Sequence, residues 1–156
     1  MLFRSEYLEP RSPVLAMSTT NGTRAIVTAA ERCGRVLIAS LLNLDAVVAA
    51  VRGEEEDVAV FCAGVKGAFA LDDAYVAGRI AVALACERTD AGEAAVRLAA
   101  SYATAEEAFR RSRSGRNLID HGPELEADIP YCARESVLGV VPAFRAMHGV
   151  AAEITA

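Results

Sequence analysis

"VLAMSTTNGTRAIVTAAERCGRVLIAS", Val14 to Ser40, decides the fold class. Val14–Thr19 is a short apolar run of the kind that forms a strand buried on both faces. From Thr23 to Cys33 the apolar residues fall at helical spacing: Ala25 and Ile26, then Ala29 and Ala30, then Cys33. Gly34 suits a helix end. Arg35–Ser40 is strand-like again. A strand, a helix and a strand in succession imply a parallel sheet covered by helices.

Outward from this stretch the alternation continues. Asn43–Gly53 reads as a helix, with Asn43 as N-cap and Gly53 as stop. "EEED", Glu54–Asp57, reads as a solvated loop, and Val58–Cys62 as a third strand. Leu71–Thr89 has the length and spacing of a helix with one buried face. Gly92–Arg113 stays helical, with Thr104 placed to cap "AEEAFRR". Two shorter helical pieces follow, broken at Gly122-Pro123. Val137–Val141 reads as a last strand closed by Pro142. The expected class is α/β, with residues 1–13 irregular, 14–145 a single domain and 146–156 a tail. Strand-end loops of this kind usually follow further strands. With thirteen residues before Val14, the sheet is expected to lack a part.

Composition narrows the function. The chain has 156 residues, 53% of them hydrophobic, with mean hydropathy +0.26, yet no run approaches the roughly 18–20 uncharged residues of a membrane helix. "MLFRSEYLEPRSP" has no apolar segment and is not expected to be a signal peptide. A net charge of −5 argues against non-specific nucleic-acid binding. Cys33, Cys62, Cys86 and Cys132 show no metal-ligand spacing, so free thiols in a reducing cytoplasm are expected and a zinc site is not. The two histidines, His121 and His148, are far apart and support neither a triad nor a metal site. Neither G-x-G-x-x-G nor a P-loop lysine is present.

Three constellations carry chemistry, each beside a plainer reading. "STTNGT" sits where a strand meets a helix, and the first helical turn there has unpartnered N–H groups and a positive dipole end. Thr19, Thr20, Asn21 and Thr23 add donors, and Gly22 lets backbone approach a ligand, so the loop suits a phosphate, sulfonate or carboxylate. Thr, Asn and Gly are also the ordinary residues of an N-cap and turn. "CAGVKGAFALDDAYVAG" places two glycines after a strand and Asp72 and Asp73 at a helix start. Either aspartate suits a hard cation such as Mg²⁺, and either suits simple capping. In "DIPYC", Pro130 fits a first helical turn, which makes Asp128 the N-cap and puts Cys132 one turn in. A thiol there is a nucleophile or acid/base candidate, or an inert buried cysteine. The run Arg110–Arg116 suits a doubly charged anion, or a solvated helix end.

"TTNGTRAI", "ASLLN", "CAG-x-x-G-x-F-x-L-D-D-x-x-x-AG", "SGRNLIDHG", "DIPYC" and "VVP", in this order, resemble the 2-phosphosulfolactate phosphatases of coenzyme M biosynthesis. The resemblance runs from about Ser18 to Pro142. It implies a three-layer αβα fold with a mostly parallel sheet and a Mg²⁺-dependent enzyme that hydrolyses 2-phospho-3-sulfolactate to sulfolactate and phosphate. It places Thr19, Thr20, Asn21, Gly22, Thr23, Asn43, Gly64, Gly67, Ser114 and Arg116 against the substrate. Cys62, Gly115 and Gly122 also match. Asp73 and Asp128 are the implied metal ligands, and with Cys132 the implied catalytic groups. Asp72 stands where the family usually has glutamate. Nothing in Met1–Pro13 matches the family's N-terminal "D-x-x-R-A-T-T" loop, so the chain is expected to correspond to the C-terminal two-thirds of such an enzyme. The partner implied is a small anionic phosphoester, with neither nucleic acid nor membrane. An open sheet edge would admit a second copy of the chain. The contrasting expectation is an inactive module that binds an anion or a partner.

Overall fold

The computed structural model describes residues 14–54 and 57–156. Within them the chain is mixed α/β. Helix α1 is Gly22–Ala30. A 3₁₀ turn, Leu41–Asn43, leads into α2, Leu44–Val51. Helices α3, Leu71–Leu84, and α4, Asp90–Ala100, follow. Next come α5, Ala105–Arg111, and α6, Arg113–His121. Two short helices, α7, Pro123–Glu126, and α8, Asp128–Cys132, precede the strands. The strands β1, Ala143–His148, and β2, Ala151–Thr155, form a two-stranded antiparallel sheet.

The core lies where α2, α3, α4 and α5 meet. Leu41, Leu44, Val48, Tyr75, Ile80, Ala99 and Ala108 are buried together. Tyr75 stands edge-on to Tyr102 and Phe109, with ring centroids 6.3 and 5.9 Å away. Helices α3 and α4 approach closely because Gly78 has no side chain: a Cβ there would sit 2.2 Å from the Ala95 carbonyl oxygen. This packing fixes the axis of α3, whose first turn carries Asp72 and Asp73.

Local signals placed the helix ends well in several cases. Thr104 caps α5, its hydroxyl accepting from the Glu107 N–H at 3.1 Å. Arg52 ends α2, and Gly53 follows at φ +85°. Helix α3 stops five residues short of the expected Thr89, at Leu84, because Ala85 turns left-handed at φ +54°. Thr89 instead caps α4.

The expected parallel strands are where the structure differs. Val14–Thr19, Arg35–Ser40, Val58–Cys62 and Val137–Val141 are outside both strands. Val58, Val60 and Phe61 are 45%, 42% and 60% exposed, and Asp57–Cys62 makes no backbone hydrogen bond to another described residue. The run is apolar enough for a buried strand, but a strand also needs a neighbour to pair with. Arg35–Ser40 does find backbone partners, in the antiparallel sense: Ile38 N–H donates to the Pro142 carbonyl and Phe144 N–H to that of Val36, at 2.8 and 2.9 Å. The last strand comes later than expected, and the segment read as a tail supplies β2. Its hairpin pairs Ala143 with Thr155 and His148 with Ala151, turning at Gly149, φ +62°. His148 meets Glu153 across it at 2.7 Å. Among the described residues no helix is long and apolar enough to cross a membrane.

Candidate functional site

Two loops meet ahead of α1 and α3. The later one, residues 62–70, turns back on itself: Val65 and Ala68 exchange both backbone hydrogen bonds at 3.0 Å. Lys66 and Gly67 at the tip have φ +53° and +78°, the positive values of a tight two-residue turn. Gly64 has φ +69°, and a Cβ there would lie 2.7 Å from the Ala68 carbonyl oxygen, so only glycine fits. Asp73, in the first turn of α3, fastens this loop by accepting from the Gly64 N–H at 2.7 Å. Asn21 joins the loop to the earlier one, its Oδ1 accepting from the Lys66 N–H at 2.9 Å. The polar junction at residues 18–23 and the acidic opening of α3 therefore reach a common loop.

Two chambers flank that loop. The larger, about 340 Å³, is lined by Cys62, Ala63, Gly64 and Gly67–Ala70, with Ala74. The smaller, about 130 Å³, is lined by Thr20, Asn21, Arg24, Ala25, Thr28, Phe61, Cys62, Ala63 and Gly67. Cys62, Ala63 and Gly67 line both.

Within the first loop the side chains divide. Thr19 and Thr23 cap each other: Thr19 N–H donates to the Thr23 hydroxyl at 3.1 Å, and Thr23 N–H to the Thr19 hydroxyl at 3.0 Å. A Cβ on Gly22 would touch that Thr19 oxygen at 3.0 Å. Asn21 uses its carbonyl oxygen as the tie to Lys66. Thr20 and Arg24 are left facing the smaller chamber. Arg24 and Thr28 escaped the sequence reading, although their four-residue spacing stacks them on one face of α1.

The electrostatics are acidic on the α3 side. Burial raises the Asp73 carboxyl above its ordinary range, the Gly64 N–H works against this, and the charge of Asp72 adds to it. Burial also raises the Cys62 thiol, and so does the charge of Asp73. Cys62 is therefore disfavoured as a thiolate nucleophile. Asp72 Oδ1 is buried without a hydrogen-bond partner. A carboxylate oxygen in that state, next to a second carboxylate, suits a cation. Mg²⁺ takes one or two protein carboxylates and fills its remaining positions with water and phosphate, so this pair fits it. Among the described residues no group of three or more His, Cys, Asp or Glu side chains is placed to hold a metal.

A sequence model of 2-phosphosulpholactate phosphatase matches residues 7–147. The chain belongs to this family. It is 36% identical over 135 residues to the 2-phosphosulfolactate phosphatase of Methanothermobacter thermautotrophicus, covering 86% of this chain and 58% of that protein. It is 38% identical over 143 residues to a probable 2-phosphosulfolactate phosphatase of Thermus thermophilus, covering 88% and 60%. A probable 2-phosphosulfolactate phosphatase of Thermotoga maritima is 37% identical over 145 residues, covering 90% and 60%. The chain thus spans about three-fifths of the length of these curated relatives.

Of the residues expected from the 2-phosphosulfolactate phosphatase pattern, Thr20, Asn21, Cys62, Gly64 and Gly67 line the chambers, and the others, Asp73, Thr19, Gly22 and Thr23 among them, line neither. Asn43 is buried, its amide donating to the Ile38 and Val140 carbonyls at 3.1 and 3.0 Å, so the structure accounts for it as a tie within the fold. Ser114 and Arg116 lie on α6, and Arg116 donates to the Arg111 carbonyl. The buried hydroxyl of that segment is Ser112, missed in the sequence, which caps α6 by accepting from the Gly115 N–H at 2.9 Å. Asp128 is the first residue of α8 rather than its cap, which is Ala127. Cys132 is an exposed thiol at the last position of that helix.

Asp73 yields a pH test. Because its folded pKa is raised, the neutral carboxyl is the form the fold prefers. Its contribution to stability is therefore present at low pH and is lost as pH rises from the ordinary value of 3.8 through the raised one. Asp73→Asn keeps an oxygen for the Gly64 N–H and removes the ionisation. Urea unfolding from about pH 3 to 7 should show the variant gaining on the natural protein through that window. A difference that is the same at every pH would contradict the assignment.

Proposed function

We propose that this chain carries the catalytic face of a magnesium-dependent phosphoric monoester hydrolase acting on 2-phospho-3-sulfolactate or a closely related small anionic phosphoester. The observation that carries this reading is the junction at Asn21 and Lys66, which sets an arginine-bearing chamber beside a loop fastened by Asp73. Family membership supports the chemistry. Thr20 and the first amides of α1 bind oxyanion, Asp72 and Asp73 are the metal-binding carboxylates, and Gly64 and Gly67 let the backbone approach the ester. Mg²⁺, when bound there, neutralises charge on the phosphoryl group and lowers the pKa of a bound water.

For the whole protein we infer a three-layer fold in which apolar segments such as Val58–Cys62 are strands of a mostly parallel sheet. Their continuous hydrophobicity supports this. Four cysteines outside any disulfide suit a cytoplasmic setting, with coenzyme M biosynthesis as the pathway. A second reading, an inactive module that binds an anion or pairs with another copy, is favoured by the exposure of Val58, Val60, Phe61 and Phe69.

Phosphate release from 2-phosphosulfolactate and from p-nitrophenyl phosphate, with and without EDTA, separates the two. The enzyme reading expects release that stops with chelator, returns with Mg²⁺, and falls at least about a hundredfold in Asp73→Asn. Folded protein that releases no phosphate favours the inactive module.

A further inference from the structure

We propose that Val58–Cys62 is an open strand edge that pairs antiparallel with the same segment of a second copy of this chain, across a two-fold axis at Val60. The dimer is independent of the phosphatase reading.

The backbone of this segment is unsatisfied. Asp57–Cys62 is exposed at every residue and makes no backbone hydrogen bond to a described residue. A row of free N–H and C=O groups on an apolar run is a template for another strand. The side chains add to it. Val58, Val60 and Phe61 stand exposed, as does Phe69, which borders Cys62 on the larger chamber. These four present roughly 400 Å² of apolar surface per copy, or roughly 800 Å² for the pair before the backbone is counted. That area lies at the low end of specific interfaces and suits a dimer that forms at micromolar concentrations.

Charge selects the second copy and the antiparallel sense. In the sequence the acidic run Glu54–Asp57 precedes the segment, and Lys66, the sole lysine of the chain, follows it. Asp57 and Lys66 each make no ion pair with a described residue. A parallel pair would set the two acidic ends together. An antiparallel pair sets the acidic end of each copy toward the lysine end of the other.

The limits of the segment fix the register. Asp57 bounds it on one side. On the other, Gly64 leaves the extended conformation at φ +69° and gives its N–H to Asp73. A two-fold pairing that uses all of Val58–Cys62 must centre on the middle residue, Val60. Val58 then lies opposite Cys62, and Ala59 opposite Phe61, so each large ring meets a small side chain. A strand has two edges, and this pairing leaves the other for the parallel sheet inferred above.

Sedimentation velocity of the full chain from about 1 to 200 µM should show a concentration-dependent dimer. Val60→Lys sets two charges opposite each other and should weaken the dimer at least about tenfold, with the helical circular dichroism unchanged. Lys66→Glu should weaken it about 3–10-fold, and adding Asp57→Lys should restore it. Cross-linking tests the register where a variant folds poorly. With the four exposed cysteines changed to serine, Val60→Cys should form an intermolecular disulfide under mild oxidation, because Cβ atoms directly opposite lie about 4.5–5.5 Å apart. Val58→Cys should not, because the two copies of residue 58 lie four positions out of register, roughly 13 Å. A monomer throughout the concentration range would overturn the inference and give this face to the part of the family sequence that the chain does not span. A dimer indifferent to Val60→Lys, or equal cross-linking at residues 58 and 60, would overturn it by placing the interface elsewhere.

Discussion

Tyr75→Ala is expected to lower the unfolding free energy by about 3–5 kcal/mol, as other large aromatic truncations in cores do. Tyr75 is 3% exposed, and its ring stands edge-on to both Tyr102 and Phe109. Truncation removes the apolar contact of α3 with Tyr102, in the turn between α4 and α5, and with Phe109 on α5, and opens a cavity between them. Total stabilities are of the order of 5–15 kcal/mol, so this one change removes a large part of the margin. It also loosens α3 less than one turn beyond Asp73, so ligand binding should weaken with stability. The denaturant midpoint measures the effect, and Tyr75→Phe should keep most of it. A loss under about 1 kcal/mol would mean that the ring cluster is not the centre of the core.

Asn43→Ala is expected to cost about 2–4 kcal/mol, summed over polar groups that lose partners and are only partly repaired by water. The Asn43 side chain is 4% exposed overall and ties three segments: it donates to the Ile38 and Val140 carbonyls and accepts from the Ser40 N–H at 2.8 Å and the Ser40 hydroxyl at 3.1 Å. Asn43→Asp separates this role from ligand binding. The carboxylate keeps both acceptors and loses both donors, and when ionised it faces two carbonyl oxygens. Its destabilisation should therefore be larger at pH 7 than at about pH 4. A residue that only touched a ligand would show neither the loss in the free protein nor that pH dependence.

These two residues show where reading along the chain reaches its limit. Tyr75 falls on the periodic face of a predicted helix, and its burial follows from the pattern. Asn43 falls where both an N-cap and a ligand-binding asparagine are plausible, and the choice depends on Val140, which is 97 positions away. Arg24 was passed over because an arginine in a first helical turn carries no mark of its own; Phe61 and Cys62, opposite it, make the chamber.

The sequence by itself placed the main helices but not all their ends, since Leu71–Thr89 stops at Leu84 and Gly92–Arg113 breaks between Ala100 and Ala105. Helical hydrogen bonds close within four residues and caps sit next to them, as Thr104 beside Glu107 shows. It also determined that Asp72 and Asp73 begin a helix. Tertiary structure decided which apolar runs found a strand partner, since Arg35–Ser40 meets the chain near Pro142 while Asp57–Cys62 meets no backbone partner among the described residues. It decided, too, that Asn21 and Lys66, 45 positions apart, bring two loops to one site. Pairing between distant segments depends on how the whole chain packs, and no local pattern of side chains encodes it.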